Sequence, residues 1–174
     1  MTTRRTRNRL TRIAVAGTSL VMIVMASWLP ARLVHAGNET PSGNVELIRN
    51  AFSAWAAGTG GPYDLLADDA VWTITGNSLA SKTYDSREAF LSEVIRPFNA
   101  RMSIGLKPTI RNIYQDGDTV IVFFDASGTA RDGKPYVNTY AWFLEIHDGR
   151  IVAANAFFDS IAFNDFWTRV TPAS

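Results

Sequence analysis

The sequence predicts an α+β domain: N-terminal helices packed on one face of a curved antiparallel sheet. Three observations carry that reading. Apolar residues recur at helical spacing only in the first part of the chain after residue 43. Long apolar, β-branched and aromatic runs fill the second part. Three Asp-Gly turns separate those runs, at Asp116-Gly117-Asp118, Arg131-Asp132-Gly133-Lys134 and His147-Asp148-Gly149-Arg150. An Asp-Gly step between apolar runs is a hairpin signal, so consecutive antiparallel strands are expected.

The elements follow in order. Val45, Ile48, Phe52 and Trp55 fall at i, i+3, i+7 and i+10, one apolar face of a helix that Asn44 or Ser42 can cap. Gly58-Thr59-Gly60-Gly61-Pro62 ends it. Residues 63–67 read as one short helical turn closed by Asp68-Asp69, and 71–75 as a strand. Residues 77–82 form a loop. Asp85-Ser86-Arg87-Glu88 has the form of a capping box, and Leu91, Val94, Ile95 and Phe98 give a second helical face that Pro97 helps to end. Strands are expected at 107–115, 119–130, 136–146 and 151–159. Phe166 and Trp167 mark a C-terminal segment that packs back on the body.

The N-terminus belongs to a different class of segment. Five arginines and no acid precede an apolar run at 13–29, and Val34-His35-Ala36 offers small residues for a signal peptidase. This pattern predicts a signal peptide cut after Ala36, a linker at 37–43 and a domain at 44–174, hence a secreted or periplasmic protein. The competing reading is an uncleaved anchor; at 17 residues the run is at the lower limit for spanning a bilayer. Arg4-Arg5 is followed by polar Thr6-Arg7-Asn8-Arg9, a poor match to a twin-arginine signal. Asn38-Glu39-Thr40 matches a glycosylation sequon.

Cleavage also changes the electrostatics. The whole chain has a formal charge of +1, but residues 1–36 carry six arginines and no acid, which leaves the mature domain at −5. Nucleic acid and anionic membrane surfaces are therefore not expected partners. The chain has no cysteine, which excludes disulfides and thiolate chemistry. His147 is the one histidine of the mature domain, which argues against a Ser-His-Asp triad or a multi-histidine metal site. Asp116 and Asp118 are explained by their hairpin turn, so no metal or cofactor is expected.

Both faces of the strands are apolar, because Phe123-Phe124, Trp142-Phe143 and Phe157-Phe158 each put one ring on each face. Helices can cover only one face. A homodimer through the other face of the sheet is expected.

Leu65-Leu66-Ala67-Asp68-Asp69-Ala70-Val71-Trp72, then Tyr84 before a capped helix, then His147-Asp148-Gly149-Arg150-Ile151 and Phe157-Phe158-Asp159 resemble the SnoaL-like, ketosteroid-isomerase-like group with the nuclear transport factor 2 fold. The resemblance spans about residues 44–168 and implies a cone of curved sheet and helices around a deep, largely apolar pocket. The group contains isomerases, polyketide cyclases, epoxide hydrolases and non-catalytic binding modules, and the fold alone does not choose among them. Where ketosteroid isomerases carry a base, this chain has Ile74-Thr75; their first-helix tyrosine falls near Ala51 and their pocket acid near Tyr140. Where limonene-epoxide-hydrolase-like enzymes carry Arg-x-Asp and a second Asp, this chain has Phe123, Asp125 and Ala156. Polyketide cyclases place an acid where this chain has Tyr140 and Trp142. None of these active sites is complete.

Asp125 is the lone charge in the apolar run 120–126 and the leading candidate for chemistry. It shares strand parity with Ile121, Phe123 and Ser127, and the resemblance turns that face toward the pocket, where a carboxylate pKa rises and suits acid–base work. The alternative is an acid satisfied by a neighbouring strand or by Tyr140. Tyr140 is the candidate hydrogen-bond donor to a substrate oxygen, or else a cross-strand aromatic. Trp72 and Asn138 are candidates to orient a ligand, with core and strand-end roles as alternatives. Trp142 and Phe158 complete the substrate-binding set, with Ala154 and Ala156 as apolar wall. Asp159 is expected to cap the turn after the last strand. Two functions follow: a domain that binds a small, mainly apolar molecule and acts on it by proton transfer through Asp125, or a non-catalytic ligand-binding or dimerisation module of the same fold. A protein–protein interaction module is the third option.

Overall fold

A computed structural model describes residues 43–173. The signal segment, the sequon and the linker up to residue 42 lie outside the described residues. Helix α1 (Gly43–Ala57) leads through a 3-10 turn (Pro62–Leu65) into strand β1 (Leu66–Ile74) and the short β2 (Thr83–Tyr84). A helical stretch follows, built from α2 (Arg87–Phe90), a π-helical turn (Leu91–Ile95) and α3 (Arg96–Asn99). Four long strands come next: β3 (Met102–Asp116), β4 (Thr119–Ala130), β5 (Pro135–His147) and β6 (Arg150–Phe158). Helix α4 (Ser160–Arg169) closes the described chain. No described helix is long and apolar enough to cross a membrane.

The six strands form one sheet in the order β2-β1-β6-β5-β4-β3. β3 to β6 are the antiparallel meander announced by the Asp-Gly turns. β1 joins β6 in parallel, so the sheet is mixed. Register shifts bend β3 at three places along β4. Opposite them Gly128 permits a close approach: a Cβ there would lie 2.7 Å from the Ile104 carbonyl oxygen.

Binary patterning decides the faces. On β4, Val120, Val122, Phe124 and Ala126 are buried, while Ile121, Phe123 and Asp125 lie half-exposed on the other side. On β5 the buried set is Tyr136, Asn138, Tyr140, Trp142, Leu144 and Ile146. The helices cover this inner face. Phe52 of α1 stands edge-on to Phe124 at 4.9 Å and to Trp142 at 5.7 Å. Phe98 of α3 and Phe166 of α4 meet at 4.7 Å, and both pack on Tyr136.

Two local expectations need amending, and a third holds. Ser86 caps α2 by accepting from the Ala89 N–H at 3.1 Å, but the helix does not stop at Pro97. Proline lacks an N–H and its ring crowds the carbonyl four residues back. The helix accommodates it by widening: the Arg96 N–H donates to Leu91 O across a π turn, and Phe98 stays buried beyond the proline. Asp68 and Asp69 are not a helix end; they sit within β1, where a register shift between Leu66 and Val71 turns both side chains to solvent. The C-terminal segment is a helix, and Asp159 caps it by accepting from Ile161 N at 2.8 Å and Ala162 N at 3.3 Å.

Candidate functional site

Sheet and helices enclose a cavity of about 280 Å³ on the inner face of the sheet. Its sheet wall is Trp72 and Ile74 of β1, Tyr140 and Trp142 of β5, and Ala156 and Phe158 of β6. The helical side supplies Trp55, Phe90, Val94, Ile95 and Phe98. Gly60, Asp64 and Asn99 are lining residues exposed to solvent, and they mark the mouth.

The rings form a graded aromatic surface. Trp72 stacks on Phe90 at 4.4 Å and 10°, and meets Trp142 edge-on at 5.1 Å and 88°. Trp142 in turn stacks with Trp55 at 5.8 Å and 13°, and Tyr140 stacks with Phe124 at 4.9 Å and 9°. The Trp72 indole N–H is buried and has no hydrogen-bond partner among the described residues.

Polar groups in the lining are few. Asp64, at the mouth, is the only charged lining residue among the described ones, and its carboxylate accepts from the Gly61 N–H at 2.9 Å. The other polar side chains of the lining are Asn99, also at the mouth, the tyrosines Tyr63 and Tyr140, and the tryptophans Trp55, Trp72 and Trp142. Burial pushes both tyrosine hydroxyls above their ordinary range, with a smaller push from neighbouring Tyr136. They stay protonated at neutral pH. Such a lining offers ring stacking, apolar burial and neutral hydrogen-bond donors, with the Asp64 carboxylate at the mouth as its one acidic group among the described residues.

The candidate residues divide accordingly. Trp72, Tyr140, Trp142 and Phe158 line the cavity together. Asn138 is buried beside it, not in its wall, and its amide holds Tyr136 and Asp159. Asp125 requires a correction. It pairs with Thr139 across β5 and lies on the outer face of the sheet, away from the cavity. Its carboxylate accepts from the Thr139 hydroxyl at 2.7 Å and from Arg111 Nε at 2.7 Å. Those two bonds hold its pKa below the usual aspartate value, opposite to the shift expected of a pocket acid. The error was one of parity: the fully apolar set on β4 is the one without Asp125.

Sequence reasoning missed the helical half of the site. Trp55, Val94, Ile95 and Phe98 were visible as helix faces, but their meeting at one cavity was not. Tyr63 sits in a 3-10 turn with no periodicity to mark it. Tyr136 had a signal, since it shares parity with Asn138 and Tyr140.

The Asp125 pair carries a pH signature. A depressed folded-state pKa contributes stability at pH above the unfolded-state value of about 3.8, and that contribution is lost as pH falls through the folded value. Asp125→Asn should therefore flatten the acid limb of the stability–pH profile without changing ligand binding, as read by chemical denaturation at several pH values. Glu88 and Asp132 are lowered in the same sense by Arg96 and Arg169, so the limb should be reduced and not abolished.

The described residues form a curved mixed sheet with helices on its inner face and an aromatic cavity between them. A family model for the SnoaL-like domain matches residues 48–154, and the chain belongs to that family. Solved structures agree in fold. Bal32a, from a soil-derived mobile gene cassette, is 22% identical with a TM-score of 0.58, over 71% of this chain and 95% of its own. IdmH from Streptomyces antibioticus, a candidate polyketide cyclase, is 24% identical with a TM-score of 0.56, over 71% and 97%. TerC, co-crystallised with polyporic acid, is 18% identical with a TM-score of 0.56, over 71% and 97%. No curated protein matches the sequence.

Proposed function

We propose that this domain binds a small, flat, mainly apolar molecule in its aromatic cavity. The observation that carries the reading is the lining itself: a cavity of about 280 Å³ walled by tryptophan, tyrosine and phenylalanine, with one solvent-exposed charge at the mouth. Burial of apolar surface against such walls is the main source of affinity, and neutral hydroxyls orient the ligand. Solved structures of the same fold include a candidate polyketide cyclase and a co-crystal with polyporic acid, which supports a ligand of that general kind. Proton transfer by Asp125 is not part of the proposal, because its carboxylate faces away from the cavity. The non-catalytic binding module is the reading the lining favours.

The test uses the site's own fluorophores. Trp55, Trp72 and Trp142 all line the cavity, so a bound aromatic ligand should quench tryptophan emission saturably. Polyporic acid and tricyclic aromatics are suitable probes. Absence of saturable quenching by any of them would count against the reading.

Two further expectations join the proposal. The outer face of the sheet leaves Phe143 and Phe157 in contact at 5.9 Å and 37% and 43% exposed, and Val71 of β1 is 40% exposed. A homodimer would cover them; sedimentation equilibrium at micromolar concentration should give twice the mature mass, and Phe143→Ala should weaken that association. Export predicts that the protein recovered from its native compartment begins at Gly37, which N-terminal sequencing reads directly.

A further inference from the structure

The mouth of the cavity has a sign of charge, and its apolar interior does not offset it. Asp64 is the one charged lining residue among the described ones. Its carboxylate is held in place. Oδ2 accepts from the Gly61 N–H at 2.9 Å, and Pro62 stiffens the turn between them. A Cβ on Gly60 would lie only 3.1 Å from that same oxygen, so glycine lets the chain pass close beside it. Gly60 and Gly61 are themselves lining residues, which puts the carboxylate at the rim. Among the described residues no basic side chain forms an ion pair with it. The Arg150 guanidinium donates instead to the Asp64 backbone carbonyl oxygen at 3.2 Å.

Helix α1 adds to the same sign from a second direction. Trp55, in its last turn, lines the cavity. Gly58 and Thr59 close that helix end, donating to the Trp55 and Ala54 carbonyl oxygens at 3.0 Å and 2.9 Å. The C-terminal end of a helix carries a partial negative charge, which a basic residue in the last turn can offset. The last turn of α1 holds no basic residue. The chain then runs through Gly60 and Gly61 into the rim, so the helix end and the Asp64 carboxylate flank one opening.

We propose that Asp64 is a specificity-determining residue: with the C-terminal end of α1 it makes the mouth select ligands by charge, favouring an apolar ring body that carries an ammonium group and disfavouring an anionic one. This rests on the reading of the cavity as a ligand site. The ring body is buried among the aromatic walls while the ammonium group stays at the rim, in water and beside the carboxylate, as long cationic side chains do at apolar surfaces. An anion there meets charge of its own sign, and no basic residue lines the cavity to offset it. Asp64 is exposed, so the preference is modest and is screened by salt.

The experiment compares three probes with one ring body: 2-(aminomethyl)naphthalene, 2-naphthalenemethanol and 2-naphthoate, which at neutral pH are a cation, a neutral molecule and an anion. Affinities are read by titration calorimetry on the folded wild-type protein at low salt. The amine should bind about threefold more tightly than the alcohol, the scale of an exposed ion pair, and the carboxylate should bind weakest. Raising the salt to about 0.5 M should bring the amine-to-alcohol ratio toward one. Asp64→Asn keeps an oxygen for the Gly61 N–H and removes only the charge, and it should lower the ratio below about two; a merely structural role for Asp64 would leave the ratio where it was. A wild-type ratio below about two, a ratio indifferent to salt, a carboxylate that binds as well as the alcohol, or a ratio above two in Asp64→Asn would each overturn the inference. The wild-type ratio and its salt dependence need no variant, so a variant that fails to fold does not shelter it. If the alcohol binds and the amine is not preferred, this inference alone fails; if none of the three binds, the cavity reading falls with it.

Discussion

Replacing Trp142 with alanine is expected to cost about 3–5 kcal/mol of folding stability, the range for truncating a large buried aromatic. Trp142 is 3% exposed and sits where α1, β1, β4 and β5 converge. It lies 5.7 Å from Phe52, 5.8 Å from Trp55, 5.1 Å from Trp72 and 4.9 Å from Phe124, ring centre to ring centre. Edge-to-face and stacked pairs add to area burial, so the residue joins helix to sheet through four rings at once. Its loss would open the existing cavity into the core, and a void flanked by rigid strands relaxes poorly. Urea denaturation measures the effect. A loss below about 1 kcal/mol would mean that α1 collapses onto the sheet and refills the space, in contrast to the usual cost of such cavities.

Ala156→Phe is expected to abolish ligand binding while leaving the fold in place. Ala156 is buried on β6, opposite Trp142 in register and beside Ile74 of β1. A benzyl group there projects into a cavity of about 280 Å³, space that a flat ligand would otherwise fill. Overpacking costs about 1–3 kcal/mol where neighbours must move, and less where a void receives the added atoms. Affinity should fall by at least about a hundredfold, equivalent to about 2.8 kcal/mol, as read by tryptophan quenching. Unchanged circular dichroism shows that the fold survives. Full affinity in this variant would place the ligand elsewhere, with the outer aromatic patch around Phe143 and Phe157 as the next surface to probe.

Asp125 shows how a local rule and a resemblance can conflict. A single carboxylate in an apolar strand is costly when buried, and that made it conspicuous. Plain alternation already argued otherwise: Val120, Val122, Phe124 and Ala126 form an unbroken apolar set, and Asp125 belongs with Ser127 in the other. The partner that satisfies it, Arg111, lies across the β3–β4 hairpin, in one of the bulges that bend β3. No spacing rule pairs these two residues, because a bulge shifts register by an amount the sequence does not announce. Pro97 teaches a similar lesson. Its preference for ending helices is local, and the burial of Phe98 against Tyr136 and Phe166 overrides it at the expense of one widened turn.

The sequence by itself determined the α+β class, the hairpin meander with its alternating strands, and the cap at Asp159. Each rests on short-range chemistry: turn dipeptides, a capping carboxylate, and the twofold period of a strand. Tertiary structure alone decided the parallel docking of β1 on β6, the outward pairing of Asp125 with Arg111, and the convergence of Trp55, Tyr63, Phe90 and Val94 on one cavity. Those features depend on which elements meet and at what register, and such contacts link residues too far apart in the chain for any periodicity to record them.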